Sequence, residues 1–241
     1  MAIALAGVVV LVALGGDGGG GAASAEPTGT VVPVSRGAEQ LQQQLVTVVK
    51  SVSPAVVQIQ TANGLGSGVV FDSNGDVVTN AHVVDGASQF LVTLAGGERH
   101  SATLAGTDRS HDLAVVHMSG ARPNPATFAD SSKVQVGDFA IAIGNPLGLR
   151  SSVTQGIVSS VDRKLSEGSG VTLSSAIQTS AEINPGNSGG ALVDLAGQVI
   201  GVPTLAAVDP QLGGAAPGIG FAIPSNTVDQ IASGLIMSGG G

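Results

Sequence analysis

One stretch organises the rest of this chain: Glu182-Ile183-Asn184-Pro185-Gly186-Asn187-Ser188-Gly189-Gly190-Ala191-Leu192-Val193. Its single serine, Ser188, lies between Gly186 and the pair Gly189-Gly190. Glycine tolerates positive φ angles and lets the backbone approach a bound carbonyl closely. A nucleophilic serine needs both properties, because backbone N–H groups must reach the oxyanion that forms on attack. The stretch therefore predicts a nucleophile loop or, more simply, a Gly/Ser turn before a strand.

The backbone around this serine also suggests an oxyanion hole. We expect the N–H groups of Gly186 and Ser188 to be its donors, with Asn187 between them in the same loop. A Gly-x-Ser-Gly pattern cannot by itself separate a nucleophile from a turn. A histidine and an acid in suitable settings elsewhere in the chain would decide between the two.

A histidine and an aspartate do stand upstream of the serine. His82 lies in Thr79–Val84 after a β-rich run, and Asp112 opens a later apolar run. The chain order His, Asp, Ser is that of the chymotrypsin-like proteases and differs from the orders in subtilisin and the α/β-hydrolases. In such a triad one ring nitrogen of the histidine takes the proton of Ser188, while the other donates to the carboxylate. The sequence predicts His82, Asp112 and Ser188 as catalytic residues.

Other acids and histidines compete for these roles. Asp85 and Asp108 are the alternative acids, and we expect both to be solvated loop residues. His100, His111 and His117 are interpreted as non-catalytic. No two histidines have the close spacing of a zinc motif, so we predict neither a metal nor another cofactor.

Several motifs together resemble the HtrA (Deg) serine proteases. The similar blocks follow the family's order: Thr79–Val84, Asp112–Val116, Ala142–Leu149, Gly156–Ser159, Asn184–Leu192 and Gly218–Asn226. The resemblance extends from residue 45 to residue 237. It implies two six-stranded antiparallel β-barrels of the chymotrypsin type with the catalytic cleft between them. It also implies an endopeptidase that cleaves unfolded or damaged proteins through an acyl-enzyme.

The resemblance further implies a substrate pocket beside the nucleophile. Its residues would be Ile183, Leu205, Ala206, Gly218 and Gly220.

The chain departs from the family pattern at two positions near this pocket. Ser180 stands where the family usually has Asp, and Glu182 stands where it usually has a small residue, which leaves activation control and specificity open. Glu182 also has the spacing of the pocket acid of trypsin, which would favour cleavage after Lys or Arg. A partly buried carboxylate without a basic partner is costly. We therefore expect Glu182 to face water and the pocket to accept Val, Ala, Ile or Leu.

Composition excludes several other classes of protein. The formal net charge is −8 with only 9 basic residues, whereas nucleic-acid binding needs a basic surface. The chain has no Trp or Tyr and only 5 Phe, so platforms for stacking bases are not expected either. The absence of cysteine excludes disulfides and thiolate chemistry. We expect unfolded proteins or peptides as partners.

The pattern of strands indicates an all-β fold. Short β-rich segments separated by turn residues recur from Val56–Gln60 to Gly218–Ile223, which is typical of barrels rather than of βαβ units. Short helices are predicted at Glu39–Val52 and Ser225–Met237. The predicted division is an N-terminal barrel in residues 39–130 and a C-terminal barrel with its closing helix in residues 131–241.

The N-terminus predicts export. Residues 1–25 combine an uncharged apolar run with Ala23-Ser24-Ala25, a small-x-small cleavage pattern. No Lys or Arg precedes the run, so we interpret it as an export signal whose charged start is missing, or as a membrane tether through residues 1–16. Residues 26–38 read as a flexible linker. Either alternative implies a location outside the cytoplasmic membrane.

Three alternatives concern the form and activity of the protein. Most HtrA proteins carry PDZ domains after the point where this sequence stops, which indicates a short form or a truncated sequence. The family also suggests a homotrimer, although the aromatic residues that commonly pin such trimers are missing before Phe71. A chaperone-like, peptide-binding module with a resting active site is the rival to the protease.

Overall fold

The computed structural model describes residues 35–62, 64–145, 152–166, 172–184, 186–209 and 214–239. Strands are their commonest secondary structure, and the described residues include three α-helices: α1 (Arg36–Val52), α2 (Ala81–Val84) and α3 (Ser225–Gly239). The predicted export segment in residues 1–25 and most of the predicted linker lie outside the described residues. No helix in the described ranges is long and apolar enough to cross a bilayer.

The first half of the chain forms a closed barrel of six antiparallel strands. They are β1 (Val56–Gln60), β2 (Leu65–Val70), β3 (Asp76–Thr79), β4 (Gln89–Thr93), β5 (Arg99–Asp108) and β6 (Leu113–Met118). Around the barrel they follow the order β1-β2-β3-β6-β5-β4. Small β-branched residues fill the interior, among them Val57, Ile59 and Val77, since such side chains pack well on a pleated surface.

The second half repeats this architecture. Its strands are β7 (Phe139–Gly144), β8 (Ser152–Ser166), β9 (Thr172–Thr179), β10 (Ala191–Val193), β11 (Val199–Asp209) and β12 (Gly214–Pro224). They close in the order β10-β11-β12-β9-β8-β7. The predicted all-β fold of two six-stranded antiparallel barrels is confirmed. Closure leaves neither barrel with an open sheet edge.

The N-terminal helix packs against strands of both barrels. It begins at Arg36, before the predicted Glu39 and inside the segment interpreted as a linker. Its buried residues Val48 and Val52 join a cluster with Ile141 of β7 and with strand residues of the first barrel. On the same helix, the side-chain amide of Gln44 donates to a carbonyl of the β10–β11 turn at 2.6 Å.

The C-terminal helix returns to the first barrel. Val228 and Ala232 pack with Leu113 of β6, and Leu235 lies against Gly106 of β5. Both terminal helices therefore cover the seam between the barrels, where their apolar faces are removed from water. The proposed division of the chain at residue 130 stays a prediction.

Hydrogen bonds tie the start of α3 to the segment that connects the barrels. The backbone N–H of Asn226 donates to the hydroxyl of Ser131 at 3.1 Å, and the Asn226 side chain accepts from the N–H of Ser131 at 3.0 Å. The Asn226 side chain also donates to Asp130. Hydrogen bonds from Asn226 and Ser132 hold the pKa of Asp130 below its usual value. The connection between the barrels is thereby fixed to the closing helix.

Candidate active site

The loop that carries Ser188 is a series of tight turns. The N–H of Asn187 donates to the carbonyl of Asn184 at 3.1 Å, and the N–H of Gly190 donates to that of Asn187 at 3.0 Å. Gly186 has a φ of 119° and Gly189 one of 77°, angles that other residues rarely adopt. A side chain at Gly189 would also meet the backbone of β2. Glycine is therefore required at this position by both conformation and space.

The side chain of Asn187 stabilises the approach to the nucleophile. It is buried, its oxygen accepts from the N–H of Asn184 at 3.0 Å, and its amide donates to the carbonyl of Glu182 at 2.9 Å. Because its backbone N–H is already bonded within the loop, Asn187 is placed to support an oxyanion hole through its side chain. The N–H groups of Gly186 and Ser188 remain the candidate donors.

His82 and Asp112 form a hydrogen-bonded pair on the first barrel. His82 lies on α2 directly after β3, and Asp112 precedes β6. The Nδ1 atom of His82 is 2.8 Å from Oδ2 and 3.1 Å from Oδ1 of Asp112. The carboxylate side chain is only 4% exposed, whereas the imidazole is 49% exposed. A carboxylate at Nδ1 favours the tautomer that carries its hydrogen there, which leaves Nε2 able to accept a proton.

The backbone of Asp112 is held in an unusual conformation. Its φ of 52° lies in the left-handed region, which is costly for a residue other than glycine. The carbonyl of Asp112 accepts from the N–H of Ala81 at 3.1 Å and from the amide of Asn80 at 3.0 Å. The N–H of His82 also donates to the Asp112 carboxylate at 3.0 Å. These bonds fix the acid against the segment that carries the histidine.

Thr204 contributes to this pair, although the sequence analysis did not single it out. Its hydroxyl donates to Oδ2 of Asp112, and it is buried on β11 of the second barrel. A hydroxyl within an apolar strand was the only signal in the sequence. Such a residue is too common to predict a contact. The hydrogen bond gives the carboxylate of the first barrel a partner from the second.

The first barrel also contacts the nucleophile loop directly. The N–H of Ser67 on β2 donates to the carbonyl of Ser188 at 3.2 Å. A Cβ atom at Gly189 would lie 2.5 Å from the hydroxyl of Thr79 and 3.3 Å from the N–H nitrogen of Asn80. The loop that holds the serine therefore packs against the segment that leads into His82. The structure thus brings all three predicted catalytic segments to the seam between the barrels.

The alternative acids have other partners. Asp85 forms an ion pair with Arg109, with an N–O distance of 2.5 Å. Asp108 accepts from Ser110 and from Nδ1 of His111. Burial opposes ionisation of Asp108, but the hydrogen bonds from Ser110 and His111 outweigh it and hold the pKa of this carboxyl below its usual value. Both acids thus have partners other than His82; Asp85 is exposed, whereas Asp108 is only partly exposed at the end of β5 rather than a solvated loop residue.

The remaining histidines each face a carboxylate. Nε2 of His100 lies 3.1 Å from Glu98, and Nδ1 of His117 lies 2.9 Å from Asp76. Within the described ranges, no three His, Cys, Asp or Glu side chains are grouped so that they could hold a metal ion.

The predicted substrate pocket is described in part. Ile183 is buried and packs against Gly220, where a Cβ atom would collide with it. Glu182 is exposed, as predicted. The strand register sets Gly220 opposite Ala206.

The other pocket residues are defined less fully. Leu205 pairs with Phe221 in the β11–β12 ladder, and Gly218 is exposed with a φ of 73°. The side chains of Leu205 and Ala206 lie outside the described part of the chain. In the structure, the side chain of Ile183 therefore contacts Gly220, and β11 pairs with the strand that contains Gly220.

Comparisons with known proteins agree with this geometry. A family model described as a trypsin-like peptidase domain matches residues 66–202. A probable periplasmic serine protease of the do/HhoA-like type from Haemophilus influenzae is 47% identical over 180 residues, which cover 73% of this chain and 37% of the relative. The Do-like serine protease HtrA of Bacillus subtilis is 42% identical over 215 residues, which cover 86% of this chain and 47% of the relative.

A solved structure is similar as well. The HtrA-type protease AlgW with a tripeptide superposes with a TM-score of 0.73 at 39% identity, over 80% of this chain and 64% of that protein. The chain spans less than half the length of the two curated relatives.

Proposed function

Because this chain belongs to the HtrA (Do-like) group of trypsin-like serine peptidases, we propose that it is a serine endopeptidase with Ser188 as its nucleophile. The observation that carries the proposal is the buried carboxylate of Asp112 bonded to Nδ1 of His82 beside the nucleophile loop. This pairing gives the imidazole the tautomer that a general base needs.

The proposed reaction proceeds through an acyl-enzyme. The hydroxyl of Ser188 attacks the scissile carbonyl while Nε2 of His82 takes its proton. Asp112 orients the imidazole and stabilises its protonated form, and the N–H groups of Gly186 and Ser188 bind the oxyanion. His82 then gives its proton to the leaving amine. Water attacks the ester by the same sequence of steps and frees the enzyme.

We further propose that the substrates are unfolded or damaged proteins outside the cytoplasmic membrane. The relative from Haemophilus influenzae is described as periplasmic, and AlgW was solved with a tripeptide, which supports peptide segments as substrates. We also propose a membrane tether through residues 1–16 and a homotrimeric assembly.

A serine-directed phosphonate separates the protease from the peptide-binding module. We expect a peptidyl diphenyl phosphonate to label the protein once, at Ser188, because only an activated hydroxyl attacks phosphorus at a useful rate. Intact mass and peptide mapping measure the labelling. A His82→Ala variant serves as the control, since it retains the serine but loses the base. A parent protein that binds peptides but takes up no phosphonate would support the binding module instead.

The pocket geometry predicts cleavage after small aliphatic residues. Ile183 fills the space against Gly220, while Glu182 faces water, so the described residues of the pocket offer apolar contacts and no buried charge. We expect a peptide with Val at the cut to be cleaved faster than a matched peptide with Lys. Values of kcat/KM for both peptides, on the parent and on Glu182→Ala, measure the preference. Faster cleavage of the Lys peptide that is lost in Glu182→Ala would contradict the apolar pocket.

A further inference from the structure

Ser67 links the two barrels at the nucleophile loop through its side chain. It lies on β2 and is completely buried. Its hydroxyl donates to the carbonyl of Gly186 at 2.5 Å and accepts from the N–H of Asn145 at 2.8 Å. Both partners belong to the second half of the chain. A single hydroxyl therefore uses its donor and one acceptor site across the seam.

The backbone of Ser67 contacts the same loop. Its N–H donates to the carbonyl of Ser188 at 3.2 Å, and its carbonyl accepts from the hydroxyl of Thr79 at 2.7 Å. Ser67 consequently binds the carbonyls on both sides of Asn187, one through its hydroxyl and the other through its N–H. The sequence analysis gave Ser67 no role, because Gly66-Ser67-Gly68 reads only as part of a strand.

The bond to Gly186 completes the restraint on one peptide unit. The carbonyl of the unit between Gly186 and Asn187 is held by Ser67, and its N–H is held by Asn184 at 3.1 Å. Gly186 itself resists rotation weakly, because glycine moves between backbone conformations at little cost. The two candidate oxyanion donors, the N–H groups of Gly186 and Ser188, stand on either side of this unit.

We infer that Ser67 is a positioning residue for the oxyanion hole. Its hydroxyl acts on the hole through its hydrogen bond to the Gly186 carbonyl. The inference rests on the proposed function. Donors of an oxyanion hole are effective because they are held in place before charge develops. Without the Ser67 hydroxyl, the Gly186–Asn187 unit is held only by its N–H bond to Asn184, so the two N–H groups converge less well on one oxygen.

A positioning role for Ser67 predicts a change in kcat alone, whereas a role in general support of the fold does not. The hydrogen bonds of the hydroxyl go to Gly186 and Asn145, so its loss leaves the bonds between His82 and Asp112 in place. Ser67 is fully buried and is not one of the predicted pocket residues, so we expect substrate binding in the ground state to be unchanged too. Only the transition state, in which the oxyanion exists, loses stabilisation.

The test compares Ser67→Ala with Ser225→Ala. Ser225 is an equally buried serine at the start of α3, whose hydroxyl donates to the carbonyl of Ala129 at 2.7 Å. We expect Ser67→Ala to lower kcat by about 10- to 100-fold on a peptide with Val at the cut, since small displacements of catalytic groups cost up to this much. Its KM and the pH midpoint of kcat stay at the parent values. Ser225→Ala loses a comparable hydrogen bond but keeps the parent kcat.

A second variant covers the case in which Ser67→Ala does not fold. Ser67→Cys nearly preserves the size of the side chain but has a weak donor and a weak acceptor, so we expect a fall in kcat there as well. Cooperative thermal unfolding establishes that each variant is folded. A folded Ser67→Ala or Ser67→Cys variant with the parent kcat overturns the inference. The inference is also overturned if the variant changes KM rather than kcat, or if Ser225→Ala lowers kcat to the same extent. A parent protein without peptidase activity would overturn the proposed function itself.

Discussion

The Ser188→Ala variant is expected to lose essentially all turnover of a disordered protein such as casein. Removal of a triad serine costs roughly a million-fold in kcat in a related hydrolase, because no other group can form the acyl-enzyme. The fold should survive, since the change deletes one hydroxyl from a half-buried loop position whose backbone bonds stay in place. Release of acid-soluble fragments from casein measures the loss.

The control for this variant is again Ser225→Ala, which removes a buried hydroxyl far along the chain from the nucleophile loop. We expect it to cleave casein at the parent rate. Thermal unfolding of both variants shows whether either change disturbs the barrels. If Ser188→Ala degrades casein at an appreciable fraction of the parent rate, another residue is the nucleophile.

The Asp112→Asn variant has the second largest expected effect. We expect kcat to fall by about 10⁴, because an amide that donates to Nδ1 holds His82 in the tautomer that cannot accept the serine proton at Nε2. The structure adds a second reason. Oδ1 of the carboxylate accepts from the backbone N–H of His82, and Oδ2 accepts from the Thr204 hydroxyl and lies closest to Nδ1 of His82. An amide has only one oxygen for these donors.

Two conservative variants are matched controls for the acid. Asp85→Asn changes an exposed ion pair with Arg109, and Asp108→Asn changes a loop contact with His111. We expect both to retain most of the parent kcat on the same peptide substrate. A large loss of kcat in either variant, with Asp112→Asn near the parent kcat, would show that Asp85 or Asp108 is the catalytic acid instead of Asp112.

The sequence allowed much of the site to be predicted because the catalytic segments are short and local. The setting of His82 after a β-rich run, and the glycines around Ser188, are patterns within a few residues. The order of these segments along the chain then indicated the family. The assignment of the individual catalytic roles stays a prediction that the two variants above test.

The partners of the site could not be predicted in the same way. Thr204 and Asp112 are separated by 92 positions, and Ser67 and Gly186 by 119. A serine or threonine in a strand has the same sequence pattern whether its hydroxyl faces water or a carboxylate. The packing of α1 and α3 across the seam was equally hidden, because an amphipathic helix shows which face is buried and not what covers it.

The sequence by itself indicated a β-rich fold and three candidate catalytic segments, and its resemblance to a known family implied the two barrels. The alternation of apolar and polar residues in strands, and the residues that form turns, depend on neighbouring positions, so they can be recognised in the sequence. Only the tertiary structure decided which hydroxyls hold the acid and the nucleophile loop. Closure of two separate barrels sets Thr204 against Asp112 and Ser67 against Gly186. Contacts of this kind depend on the relative position of the barrels, which no local pattern specifies.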